Sequence, residues 1–239
     1  RVLILSSNCI EGGPAAIDAL ARGDSDTRAK PGRGSFPGRF AEVLTERIMT
    51  LGHRQDHPAP IPVAERRTPA PPALAIDTDQ PIECIAVAAS TGGIPAFTNF
   101  LAHLDPRISA PILLTQHLPD AFMEFYAKQI ATMTTRRVYV AAAGMVVERG
   151  CIYLAPGDAH LLVVANGRRH EIALDHRVVD NGCCPSADPM LDSVADVFGK
   201  GGIAVILSGM GRDGAIGAAR VKDAGGTVFA QAPESCVIW

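Results

Sequence analysis

From residue 82 onward the apolar positions fall in short continuous runs rather than in strict alternation: residues 82–89, 111–116 and 203–207. Runs of that length, bounded by turn residues and separated by longer helical stretches, predict buried strands joined by crossover helices. The expected fold is therefore α/β, a parallel sheet flanked by helices. The middle of this region differs. Residues 151–154, 161–165 and 170–174 are short runs split by Pro156-Gly157-Asp158 and Asn166-Gly167, and these breaks predict an antiparallel hairpin appendage beside the main sheet.

Residues 1–52 carry a smaller pattern of the same kind. It predicts a strand at 2–5, a helix over about 12–21, a short strand near 27–29 and a helix over about 40–51. Pro58, Pro60, Pro62, Pro69, Pro71, Pro72 and Pro81 follow, with few large apolar residues between them, which favours an extended, semi-rigid linker. The expected organisation is a unit at 1–52, a linker at 53–81 and a larger domain at 82–239.

Composition narrows the class. An apolar content of 47% with 20% charged residues suits a folded core, and a formal charge of −3 lacks the clustered basic excess that phosphate neutralisation requires. No nucleic-acid partner is expected. No apolar run is long enough to cross a bilayer, and Arg1 opens a short strand rather than a leader, so a cytoplasmic location without membrane insertion is expected. The six cysteines show no CxxC pair, and adjacent Cys183 and Cys184 are poor disulfide partners. The seven histidines show no HExxH or paired Cys/His spacing, so neither a metal nor a cofactor is expected.

Three of the predicted strands run out at residue types that hydrolysis needs. The first ends at Ser90, the second at His117, and the third runs into Gly209-Met210-Gly211-Arg212-Asp213-Gly214. Chemistry in open α/β sheets sits beyond the carboxyl ends of the strands, where side chains distant in sequence meet. A serine hydroxyl becomes a nucleophile when a base removes its proton, histidine suits that task, and a carboxylate fixes the histidine tautomer. Thr91, Gly92 and Gly93 then lead into a helix whose first amides suit a developing oxyanion, and the glycines after Leu207 could expose the Met210 amide. Each residue also has a plainer reading. Ser90 before two glycines is a common helix cap or phosphate loop, and Asp213 before a helix is a common N-cap. The 209–214 segment is also a literal GxGxxG, with Glu234 placed 20 residues beyond Gly214, as in dinucleotide folds. Against that reading, Asp213 would face the pyrophosphate.

Six ordered motifs carry a more specific signal: Ala-Ser-Thr-Gly-Gly at 89–93, Thr-Gln-His-Leu-Pro at 115–119, Tyr-Leu-Ala-Pro-Gly-Asp-Ala-His at 153–160, Pro-Ser-Ala-Asp at 185–188, Ile-Leu-Ser-Gly-Met-Gly-Arg-Asp-Gly at 206–214 and Ala-Gln at 230–231. With them, residues 82–239 resemble the catalytic domain of the chemotaxis protein-glutamate methylesterase (CheB-like) family. The resemblance implies a serine hydrolase that demethylates glutamate methyl esters, and in some members deamidates glutamines, on the cytoplasmic helices of chemoreceptors. It makes Ser90 the nucleophile, His117 the base and Asp213 its orienting carboxylate, with Thr91, Gly92 and Met210 lining the site and assisting the oxyanion. A catalytically weak receptor-binding module of the same family is the alternative.

Residues 1–52 resemble the second half of a receiver domain, a flavodoxin-like fold. Ser6 stands as its switch hydroxyl and Lys30, before Pro31, as its phosphate-binding lysine. The phosphoacceptor aspartate belongs to the other half, so a histidine kinase is expected as a partner only of an intact receiver, and the chain is expected to be a fragment at both ends. Two departures from the family pattern stand out. Thr27 and Arg28 occupy a strand that is usually apolar, and Cys183 and Cys184 occupy positions where relatives often carry His and Arg.

Overall fold

The computed structural model describes residues 3–6, 26–29, 44–45, 48–49 and 81–239. The expected helix at 12–21, Lys30 and the proline-rich stretch before Pro81 lie outside the described residues. Strand β1 (Leu3–Ser6) pairs in parallel with β2 (Asp26–Ala29), Ser6 opposite Ala29. Residues 44–45 and 48–49 are helical, inside the stretch expected at 40–51.

Within residues 81–239, β3 (Cys84–Ala89), α1 (Gly93–His103), β4 (Ile112–Gln116), α2 (Met123–Met133), β5 (Arg137–Val140) and β6 (Cys151–Leu154) follow in order. They lead to a hairpin of β7 (His160–Asn166) and β8 (Arg169–Asp175), then α3 (Ala187–Phe198), β9 (Gly202–Ile206), α4 (Ala215–Asp223) and β10 (Thr227–Ala230). Six strands form one parallel sheet in the order β10-β9-β3-β4-β6-β5, as the buried apolar runs predict. Strand β7 pairs with β8 antiparallel, and Asn166-Gly167 makes its turn with Gly167 at φ 61°.

One expected element is placed differently. Residues 151–154 do not join the hairpin but form β6 inside the parallel sheet, fully buried between β4 and β5. Buried on both faces, a parallel strand reads as a continuous apolar run, and a run of four residues carries too little period to separate it from a hairpin arm. Pro156-Gly157-Asp158 is accordingly a link between sheet and hairpin and not a hairpin turn. Strand β5, not singled out from the sequence, sends Val138 and Val140 to one core layer and Tyr139 to the other, a legible period of two at the edge of the sheet.

Side-chain size on the central strands divides the two layers. Ile85, Val87, Ile112, Leu114 and Val205 face α1 and α2, together with buried Phe97 and Tyr126. Ala86, Ala88 and Ala204 face the opposite layer, where Met190, Leu191 and Val194 of α3 and Val221 of α4 pack. Each large buried side chain contributes roughly 1.5–3 kcal/mol relative to exposure. The small residues let α3 and α4 approach the sheet and each other. A Cβ built on Gly217 would lie 2.5 Å from Leu191 Cβ and 2.8 Å from the Asp188 carbonyl oxygen.

The strand order defines where a ligand should sit. From β3 the chain passes to β4 on one side and returns through β9 on the other, so the carboxyl end of β3 is the switch point of the sheet. A separate apolar groove of about 1310 Å³ runs past Ile85, Phe100, Ile203 and Phe229, and neither Ser90, His117 nor Asp213 lines it. Its lining residues Gly201, Ile203 and Thr227 mark the opposite, amino-terminal ends of β9 and β10.

Helix α4 tests the packing argument. Gly217→Ala would gain roughly 0.5–1 kcal/mol in helix propensity, while overpacking of a filled contact costs roughly 1–3 kcal/mol. The net result expected in urea unfolding is a loss of stability, larger for Gly217→Val. A stabilised Gly217→Ala would mean that α3 and α4 separate without cost.

Candidate active site

Ser90 is the first residue beyond β3, and the pairing of Ala89 with Gln116 sets it beside His117, the first residue beyond β4. The backbone here is fixed from both neighbours. His117 N–H donates to Ala89 O at 3.0 Å, and Ser90 N–H donates to Ser208 O at 3.0 Å. The Ser90 carbonyl accepts from Gly93 N–H at 2.8 Å and from the buried Gln116 Nε2 at 2.9 Å. The loop after β9 presses on the same residue, because a Cβ on Gly209 would stand 2.8 Å from Ser90 Cβ.

Asp213 is the most constrained group in the site. Its Oδ2 accepts from His117 Nε2 at 2.7 Å and from Ala187 N–H at 2.7 Å. Its Oδ1 accepts from the Ser186 hydroxyl at 2.6 Å, Asn181 Nδ2 at 2.9 Å and Asp188 N–H at 3.2 Å. Burial alone would raise the carboxyl's pKa, but the hydrogen bonds from His117, Ser186 and Ala187 outweigh it and hold Asp213 far below the usual aspartate range. Asp213 does cap a helix, though not the one that follows it. Gly214, at φ 92°, stands at the N-terminus of α4, while Asp213 reaches across to the first turn of α3. In return Asp188 of α3 accepts from Gly217 N–H of α4 at 2.8 Å. Burial, together with the neighbouring Asp213 charge, raises the Asp188 pKa.

A carboxylate can only accept, so His117 Nε2 is the donor in this bond, and in the neutral imidazole Nδ1 is then the acceptor. Among the described residues the Ser90 hydroxyl makes no hydrogen bond, so the contact of about 3.5 Å between His117 and Ser90 looked for in a hydrolase site is not made in this structure. Loose contacts are common in unliganded sites and tighten when substrate binds. The amides of Thr91, Gly92 and Met210 likewise meet no protein acceptor among the described residues, which leaves them available to an oxyanion. Gly92 adopts φ 79° at the start of α1, and a Cβ there would collide with Val237 at 2.5 Å, so the tight turn after Ser90 needs glycine.

Several supporting residues escaped the sequence reading. His160 is buried, accepts from Ser186 N–H at Nδ1 (2.9 Å) and donates from Nε2 to Arg177 O (2.8 Å), which fixes the residue that bonds Asp213. Ser208 donates to Thr91 O at 2.9 Å and accepts from Val237 and Ile238 N–H at 3.0 and 3.1 Å. Gln231 accepts from Ser208 N–H at 2.8 Å. All three were visible as motif members, His160 ending Ala-His, Ser208 within Ile-Leu-Ser-Gly and Gln231 ending Ala-Gln, but only the fold reveals what they touch. Ser6 ends β1, and none of its side-chain surroundings are described. The 209–214 loop offers no all-amide cradle for a pyrophosphate, since Asp213 projects its charge into it, bonded to His117 and α3.

Fold and site together define an α/β domain of hydrolytic type, with a histidine and aspartate pair beside a strand-end serine. Residues 85–239 match the family model described as CheB methylesterase, and the chain belongs to that family. It is 38% identical to protein-glutamate methylesterase/protein-glutamine glutaminase 2 of Caulobacter vibrioides, over 100% of this chain and 69% of that protein. Protein-glutamate methylesterase/protein-glutamine glutaminase 4 of Anaeromyxobacter dehalogenans is 36% identical, over 100% of this chain and 66% of the relative. The chain thus spans about two thirds of the length of these curated relatives. The crystal structure of the Thermotoga maritima CheB methylesterase catalytic domain matches with a TM-score of 0.63 and 36% identity, covering 65% of this chain and 82% of that one.

The depressed Asp213 pKa carries a pH signature. A carboxyl held below its unfolded value adds stability above an aspartate's ordinary pKa of about 3.9, and that contribution is lost as pH falls toward the folded value. The stability difference between wild type and Asp213→Asn, measured by urea unfolding, should hold steady near neutrality and shrink below about pH 4. A difference unchanged down to pH 3 would remove the five-donor account of this carboxylate.

Proposed function

We propose that residues 82–239 hydrolyse γ-glutamyl methyl esters on the cytoplasmic helices of chemoreceptors, and the corresponding glutamine amides, through an acyl-enzyme on Ser90. The observation that carries this reading is the 2.7 Å bond from His117 Nε2 to a carboxylate held ionised at the mouth of the sheet. It leaves Nδ1 with the lone pair a base needs, and Ser90 is the strand-end residue of the neighbouring strand. The names of the relatives, which pair methylesterase with glutaminase, supply the substrate class.

In the reaction, Ser90 Oγ attacks the side-chain carbonyl as its proton passes to His117 Nδ1. The imidazolium is stabilised by Asp213, which stays ionised because four donors besides His117 already satisfy it. The oxyanion forms against the amides of Thr91 and Met210, with Gly92 giving the backbone its turn. Methanol or ammonia leaves with the proton from His117. Water then attacks the acyl-enzyme with His117 as base, and glutamate is released. No metal or cofactor enters these steps.

We read β1 and β2 as the fourth and fifth strands of a receiver, with Ser6 and Lys30 in its switch positions, and a histidine kinase as a partner of the intact receiver. The parallel β1–β2 pairing supports this reading. A cytoplasmic location fits a substrate on cytoplasmic helices, and no helix among the described residues is long and apolar enough to cross a membrane.

The unbonded Ser90 hydroxyl is what a binding module without turnover would also show. Methanol release from a methylated receptor helix separates the two. Ser90→Ala and His117→Ala should each lower the rate by a factor of roughly ten thousand to a million, without adding in the double variant. Near-normal release by Ser90→Ala would overturn the acyl-enzyme, and absence of release by the wild type would leave the binding module.

A further inference from the structure

We propose that His117, Cys183 and Asp213 form a binding site for a borderline-soft divalent cation, zinc above all, and that its occupation switches the hydrolytic site off. A ring nitrogen of His117, the Cys183 sulfur and a carboxylate oxygen of Asp213 all lie within 4.8 Å of one another. Zinc bonds of about 2.0–2.3 Å place tetrahedral ligand atoms roughly 3.3–3.6 Å apart. An edge at the 4.8 Å limit therefore has to close by roughly 1.2–1.5 Å, while His117 Nε2 and Asp213 Oδ2, already 2.7 Å apart, have to open slightly. His117 and Cys183 are only partly buried, which gives both side chains room to make that adjustment and gives an ion a way in.

The support around the ligands is built from the same residues that hold the site. Asn181 bridges two of them: its Oδ1 accepts from Cys183 N–H at 2.9 Å, and its Nδ2 donates to Asp213 Oδ1 at 2.9 Å. Ser186 orients the same carboxylate. Such outer partners fix ligand direction and raise affinity. One sulfur, one nitrogen and one oxygen donor suit zinc and not magnesium or calcium, which take oxygen ligands in larger number. Three protein ligands leave a fourth position for water.

The sequence shows no metal spacing because the ligands come from three separate segments: the end of β4, the loop before α3 and the loop before α4. No short-range motif can register such a set.

Binding has a defined proton balance. The Cys183 thiol releases its proton to solvent as the sulfur–metal bond forms. If His117 ligates through Nε2, the hydrogen bond from Nε2 to Asp213 Oδ2 gives way to metal bonds on both atoms, the ring proton moves to Nδ1, and Nδ1 can no longer accept from Ser90. If it ligates through Nδ1, the lone pair is taken directly. Either way the base proposed above is lost, and this inhibitory consequence rests on that reading; the binding site itself does not.

The test has two arms on the full chain. In the first, cobalt(II) replaces zinc as a spectroscopic probe, with no substrate present. A thiolate-to-cobalt charge-transfer band is expected in the wild type and in Cys184→Ser, and no band in Cys183→Ser or Cys183→Ala. No band in the wild type, or a band that survives in both Cys183 variants, overturns the site. In the second, zinc should inhibit methanol release reversibly, with a chelator restoring it. Relative to each variant's own zinc-free rate, Cys183→Ser should raise the half-inhibiting zinc concentration at least about tenfold, the low end of what even an outer-shell partner contributes. Equal inhibition of wild type and Cys183→Ser overturns the proposal. A cobalt band in a chain that releases no methanol would instead strike the hydrolytic reading and leave the metal site standing.

Discussion

The site depends on one buried carboxylate being made comfortable as an anion. Asp213 has a side chain only 3% exposed, and an unpaired charge in that position would cost several kcal/mol. Five donors converge on its two oxygens: His117, Ser186, Asn181 and the amides of Ala187 and Asp188. Two of these are free amides of a helix start, which need an acceptor in any case and lend the partial positive charge of the helix end. Helix α3 and Asp213 therefore satisfy each other, and His117 is oriented by a group that is itself immobile. A carboxylate on a solvated loop would have offered the same charge without the same direction.

Much of this architecture was legible because parallel sheets write themselves in apolar runs. The strands that end at Ser90, His117 and the Gly209 loop were recognisable from buried runs, and the convergence of strand ends followed from the general rule for such sheets. Residues 151–154 were harder, since a four-residue run cannot show whether its neighbours are parallel or antiparallel. The partners of Asp213 were harder still. Ser186 and Asn181 lie 27 and 32 positions away in sequence, His160, which holds Ser186, lies 53 away, and nothing in their local context distinguishes a serine that supports a carboxylate from one that merely starts a helix. The plain reading of Asp213 as a cap was right in kind and wrong in target, because sequence proximity points to α4 while the fold delivers α3.

The loop after Ser90 is rigid for a different reason. Ser208 ties the Thr91 carbonyl to the backbone at 237–238, and Gln231 ties Ser208 to the segment after β10. The turn at Gly92 packs directly on Val237. Residues close to the end of this chain thus brace the amides beside the nucleophile. What stays unbraced is the Ser90 hydroxyl and one edge of His117, whose side chain remains 23% exposed. Backbone donors and the Asp213 anchor are fixed in advance, and the adjustment left to substrate is a side-chain torsion rather than a loop movement, which keeps the reorganisation small.

The small face of the sheet is what permits the mutual capping. Ala86, Ala88 and Ala204 allow α3 and α4 to lie close to the strands, and Gly217 allows α4 to lie against Leu191 and Asp188. Only at that separation can Asp213 reach the first turn of α3 while Asp188 reaches that of α4. Larger side chains at those strand positions would lift both helices from the sheet and lengthen both sets of bonds. The His117 partner would then lose its hold on α3 before it lost its place in the sequence. The alternation of bulky and small residues along β3 and β9 is therefore a condition for the chemistry at their ends as well as for the packing between them. Core volume on one side of the sheet and carboxylate direction at its edge are set by the same few methyl groups.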